Sequence, residues 1–213
     1  LFQNIGRGFT KWLESKTGKA AGNLKVTVAT DVRLSSPSLK EALIAGLTAS
    51  GVKVLDLGIA PTPLGYYSEF AVNDVNSAMI ITASHNPREY NGYKAYWDDG
   101  AQVLSPHDTG IIDEVNKVTV DQVKFAPNDD LIKIIGGEMD IDYLKAVHET
   151  LIDQDVINRQ KNLCIVYSPL HGTGRVIIPA ALRTSGVSIP WSRALRTKCI
   201  RISPSSSRIT LSI

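Results

Sequence analysis

Cysteine is scarce, with only Cys164 and Cys199 in 213 residues. The two follow no metal-ligand spacing, and Cys164 lies within the apolar run "NLCIVYS", where a buried thiol is the simplest reading. A reducing, cytoplasmic setting fits this usage. No apolar stretch approaches the roughly 20 residues of a membrane-spanning helix, which argues against a membrane partner. A run of basic residues on one face is also missing, and a formal net charge of +2 is too small to suggest a nucleic-acid partner. The first residue is Leu rather than Met and "LFQNIGRGFTKW" is amphipathic, unlike a signal peptide; a truncated amino end is expected.

What is present is ordinary globular composition, 43% hydrophobic and 21% charged, which supports a packed core. Charge is unevenly spread. The five basic residues after position 187 (Arg193, Arg196, Lys198, Arg201, Arg208) have no acidic counterpart, leaving −3 for residues 1–187. The stretch 188–213 therefore reads as an atypical basic, Ser-rich tail with neither a helical stripe nor clean strand alternation.

Ile5, Phe9, Trp12 and Leu13 recur at helical spacing before Gly18, predicting a helix over 1–16. A strand over 24–31 follows, then a helix with a capping-box pair at Ser38 and Glu41 that ends near Gly51. Strand 52–58, a loop with a short helix, and strand 77–84 complete a strand–helix alternation, which predicts a layered α/β/α domain with a mainly parallel, mixed sheet. "YKAYW" and "AQVL" around Asp98, Asp99 and Gly100 read as a hairpin, and Ser105-Pro106 opens a helix to about Val118. Domain I is thus expected over 1–125 and a loop-like linker over 126–140. A helix over 141–155, a strand at "NLCIVYS" and a further helix place the start of a second, similar α/β domain at 141–187.

The stretch "ITASHNPREYNGYK" ends an apolar strand with Ser84, His85, Asn86 and Pro87. Loops at the carboxyl ends of parallel strands hold ligands in open α/β sheets. With His85 and Lys94 near, Ser84 suits a nucleophile. It also suits a turn serine paired with Asn86, with Lys94 a solvated strand residue, and spacing alone favours that plainer reading without closing the other.

The run "TASHNPREYNGYK" closely resembles the active-site segment of the α-phosphohexomutase superfamily, the phosphoglucomutases and phosphomannomutases. The resemblance continues through "AYWDDGAQVLSPHD", which is more similar to the phosphoglucomutase and phosphopentomutase branch than to the phosphoglucosamine branch. It takes in "ATDVRLSS", "APTP" and "IVYSPLHGTG", about residues 20–187 in all. It implies that Ser84 carries the phosphoryl group, that one oxygen of its phosphate ligates Mg²⁺, and that His85 and Lys94 serve proton transfer or charge support. Arg33 and Asn86 are implied to bind substrate. The implied activity interconverts glucose 1-phosphate and glucose 6-phosphate through glucose 1,6-bisphosphate, with mannose and pentose phosphates as alternative sugars.

Two departures stand against the family pattern. The glycine- and arginine-containing loop before the first helix is missing, and so is the loop of three alternating aspartates that supplies the metal. Asp140 with Asp142 and Asp153 with Asp155 lie at or near a helix, where i and i+2 side chains point apart, and Asp98 with Asp99 belongs to the hairpin turn. The chain as written is therefore expected to be inactive as a mutase. A non-catalytic module that binds sugar phosphates or another partner is the alternative. A serine hydrolase using "HGTG" ranks behind both, because no G-x-S-x-G turn occurs.

Overall fold

A computed structural model describes residues 1–83, 86, 87, 89–123, 126–160, 164–169, 172–187, 198–201 and 208–212. The chain forms two compact units, Leu1–Met139 and Asp140–Ile213.

The first unit opens with α1 (Phe2–Thr17), which buries Ile5, Phe9, Trp12 and Leu13 and stops at Gly18, a left-handed residue whose N–H reaches the Glu14 carbonyl. β1 (Lys25–Thr30), α2 (Ser36–Ala49), β2 (Lys53–Ile59), α3 (Thr62–Ala71) and β3 (Ser77–Ile81) follow as the alternation predicts. The antiparallel β4 (Tyr93–Trp97) and β5 (Ala101–Gln102) flank a turn in which Asp98 and Gly100 take positive φ. Then comes α4 (His107–Asn116).

Two expectations at element ends are corrected. The Ser38–Glu41 capping box does not form: α2 begins at Ser36, where Pro37 suits the first turn, and the Ser38 hydroxyl donates to the Ser35 carbonyl. The third strand stops at Ile81 rather than residue 84: its parallel ladder to β1 ends where Thr30 pairs with Ile81, and beyond it the Thr82 N–H makes one further bond, to the Gly92 carbonyl.

The linker expected at 126–140 is also corrected. It contains β6 (Ile132–Ile134), which pairs parallel with β2, and α5 (Gly136–Glu149) starts five residues before the predicted helix. Three residues are too few to show an alternation. The parallel ladder to Val54–Asp56 supplies the stability that local pattern does not.

The sheet order is β5-β4-β3-β1-β2-β6, with β1, β2, β3 and β6 mutually parallel and β3-β4-β5 antiparallel. One face carries the core of Phe9, Trp12, Leu43, Leu47, Val26, Val28, Met79 and Ile81, shared by α1, α2 and α4. The α1–α2 crossing is close because both helices present glycine. A Cβ on Gly6 would lie 2.6 Å from the Leu43 carbonyl oxygen, and one on Gly46 would collide with that of Gln3. The opposite face carries α3, whose Ser68 hydroxyl lies 2.7 Å from that of Thr27. A three-layer α/β/α domain results.

The second unit holds α6 (Gln154–Arg159), β7 (Cys164–Ser168) and α7 (Gly174–Thr184) around Ile165, Tyr167 and Val187. The single helix predicted over 141–155 is two, since Asp153 caps α6 by accepting the Val156 N–H. The tail is corrected as well: β8 (Lys198–Arg201) pairs antiparallel and β9 (Arg208–Ser212) parallel with β7. Neither KCIR nor RITLS is a continuous apolar run of the kind that marks β7, yet each finds an open edge of that strand. The burial expected of the Cys164 side chain lies outside the described residues.

Candidate active site

The carboxyl ends of β1, β2 and β3 lie at one edge of the sheet. The Asp31 N–H bonds the Ile81 carbonyl at 2.9 Å, and the Ala60 N–H bonds that of Thr30 at 3.0 Å. Chain leaving these strands must gather there, and such an edge is where open α/β sheets bind ligands.

Asp31 is the hub of this edge. It receives the Ser36 hydroxyl at 2.6 Å and the Arg33 backbone N–H at 3.0 Å. The Arg33 guanidinium pairs with its other oxygen, and the Thr82 side chain also bonds the carboxylate. Burial pushes the Asp31 carboxyl up, but these donors outweigh it and hold the group below the usual carboxylate range. The charge is thus fixed and fully engaged. It joins the β1–α2 connection to the first residue after β3.

Arg33 reaches further: its Nη2 donates to the Asn86 carbonyl at 2.8 Å. Two sequence-predicted site residues are thereby brought together, although Asn86 takes part through its backbone. Asn91 adds a second tie. Its Nδ2 donates to the hydroxyls of Ser35 and Ser36, each at 2.9 Å, and its Oδ1 accepts the Gly92 N–H at 2.9 Å. Ser36, Thr82 and Asn91 were not singled out from the sequence. An Asn-Gly pair reads as a turn, and only the fold reveals that Asn91 faces the start of α2.

Lys94 lies opposite Ile80 in the antiparallel β3–β4 pair, one position from the end of β3. Its neighbours Tyr93 and Ala95 pack with the α1/α2/α4 core. Alternation therefore sets Lys94 on the other face with Tyr96, whose ring is 5.5 Å from that of Tyr66 on α3. The half-buried lysine is a strand residue at the site's edge. Ser84 and His85 lie outside the described residues.

The residues 1–122 match the family model for the phosphoglucomutase/phosphomannomutase alpha/beta/alpha domain I. The chain belongs to the phosphoglucomutase/phosphomannomutase family. A relative from Pyrococcus abyssi named as a probable phosphoglucosamine mutase is 32% identical over 186 residues, 85% of this chain and 39% of the relative. A phosphopentomutase from Thermococcus kodakarensis is 30% identical over 203 residues, 89% of this chain and 42% of the relative. Among solved structures, a phosphoglucomutase/phosphomannomutase family protein from Burkholderia thailandensis matches with a TM-score of 0.55 and 28% identity, covering 70% of this chain and 31% of that one. The chain thus spans about two fifths of the length of the curated relatives it matches. Their names fall in both branches at nearly equal identity, so the branch reading gains no support.

Family members are phosphomutases, and Mg²⁺ is the metal the resemblance implies. Among the described residues, no three His, Cys, Asp or Glu side chains converge to hold a metal ion. The hub carboxylate Asp31 is already occupied by protein donors. The described residues alone therefore do not fit a metal. Among the same residues, no helix is long and apolar enough to cross a membrane.

Proposed function

We propose that this chain carries the phosphoryl group of a phosphosugar mutase on Ser84, with glucose 1-phosphate and glucose 6-phosphate as the exchanging pair. The observation that carries the reading is the double tie at the sheet edge. Asp31, Arg33 and Asn91 hold both described flanks of the segment 82–92 against the start of α2. Phosphoryl transfer needs positioning and charge neutralisation more than covalent work, and flanks held at Thr82, Asn86 and Asn91 support the first need. Membership of a phosphomutase family supports the reading.

In the proposed reaction a sugar hydroxyl oxygen attacks phosphorus while the bond from phosphorus to Ser84 Oγ breaks. The electron pair returns to Oγ, and the hydroxyl proton passes to Oγ with Lys94 or His85 as carrier. The bisphosphate then returns its other phosphoryl group to Ser84 by the reverse step. Lys94 brings positive charge to this edge, and Arg33, paired with Asp31, contributes with Asn86 to substrate binding. We assign the carrier role to the domain I segment, 1–125 with β6 added, and read 141–187 as the beginning of a second domain of like architecture.

The sugar is tested by discharge. The chain is labelled with ³²P glucose 1,6-bisphosphate in Mg²⁺, freed of donor, and chased with the monophosphates of glucose, mannose, glucosamine and ribose. Fastest release by glucose phosphate is expected; faster release by another sugar overturns the glucose assignment. Retention of bisphosphate without covalent label would instead fit a binding module.

A further inference from the structure

We infer that Asn91 is a positioning residue: its side-chain amide clamps the chain that follows β3 onto the start of α2 and so governs the rate of the phosphoryl uptake proposed for Ser84. The inference rests on the carrier role proposed for Ser84 and adds to it a residue and a polarity. Residues 82 and 92 form the base of the segment, joined by the Thr82 N–H to the Gly92 carbonyl at 3.0 Å. That bond closes the base without fixing its direction. Direction comes from contacts outside the segment. One is Arg33 on the Asn86 carbonyl, and the other is Asn91 on Ser35 and Ser36.

The polarity of the second contact is set by its neighbours. Ser36 is fully buried, and its single hydroxyl proton is given to Asp31 Oδ1 at 2.6 Å. Only its lone pairs are left to face residue 91. A donor is required there, and an amide nitrogen supplies two protons, one for each serine. The amide oxygen meanwhile accepts the Gly92 N–H, so the side chain is used at every polar atom. An aspartate of the same shape keeps the acceptor and turns the other end into a carboxylate against those lone pairs, with the charge of Asp31 one hydroxyl away. Asn91→Asp should therefore fail where a space-filling role would accept it.

The test compares the unaltered chain with Asn91→Ala, Asn91→Asp and Ser84→Ala. Backbone hydrogen exchange is expected to quicken about tenfold or more at Thr82 and Tyr90 in both Asn91 variants, with Val26–Val28 of β1 unchanged. Under saturating glucose 1,6-bisphosphate, both variants should label about tenfold or more slowly, with the half-saturating donor concentration unchanged. That split separates positioning from loss of binding or of fold. An Asn91→Asp variant that exchanges and labels like the unaltered chain overturns the inference. If the unaltered chain and Ser84→Ala both take no label, the carrier role fails, and the exchange at Thr82 and Tyr90 alone upholds or overturns the clamp.

Discussion

Asp31 shows how one residue sets the character of the sheet edge. Its carboxylate takes hydrogen bonds from Ser36, Thr82 and Arg33, and a charge so engaged gives nothing to substrate. Lys94 is a different case, a half-buried cation reaching the same edge from an antiparallel strand. Lys94→Met keeps length and apolar stem and removes the charge. Labelling of Ser84 should fall by about 10²-fold or more, with the melting temperature little changed. A full rate in that variant would return Lys94 to an ordinary strand position. Of the residues at this edge, Arg33, Asn86 and Lys94 were legible because a sequence motif names them. Ser36, Thr82 and Asn91 were not, since their roles come from contacts across more than fifty residues of chain. His107, in the first turn of α4, packs edge-on against Trp12 and Trp97 at 5.8 and 5.2 Å, as a structural residue does.

Among the elements, α3 carries a group with a pH consequence. Glu69 Oε1 accepts the Ala78 N–H at 2.9 Å, while its Oε2 is buried and has no hydrogen-bond partner among the described residues. Burial, with Asp99 and Asp98 in the β4–β5 turn adding repulsion, pushes its carboxyl up to about 7. The side chain lines a cavity of about 310 Å³ with Lys19, Phe70, Asn76, Trp97 and Asp98. A folded value above the unfolded one means that the stabilising contribution is complete below about 4.5 and is lost as pH rises through about 7. The first unit should thus melt lower at pH 8 than at pH 5.5. Glu69→Gln should remove much of that fall and raise stability at pH 8 by about 1–2 kcal/mol, allowing for the part of the side chain that stays in water. Thermal melts across this range check it; equal slopes for both proteins would contradict it. The long helices and buried strands were legible through their periodicity, and Gly18 marked its helix end. β6, β8 and β9 were not: the equally short β3 and β7 are continuous apolar runs and β4 leads into the turn at Asp98, Asp99 and Gly100, cues that these three lack, so they depend on the ladder they join.

For the whole molecule, the two units differ in what holds them. The first is a six-stranded sheet covered on both faces. The second has β7 as the centre of three strands, with both partners drawn from the tail. Deleting residues 188–213 leaves β7 with two open edges. The shortened chain should keep slow exchange in β1 and β3, lose it in β7 and aggregate more readily; continued protection of β7 would show that the tail strands are dispensable. The composition shift after residue 187 was legible and its meaning was not, since a basic, Ser-rich stretch gives no sign of the strand it will pair with.

The measurement closest to the central claim is intact-mass spectrometry of the chain after glucose 1,6-bisphosphate and Mg²⁺, followed by peptide mapping. One phosphoryl increment is expected, located at Ser84 and absent from Ser84→Ala. An increment that persists in the alanine variant, or an unaltered chain that gains none, would contradict it.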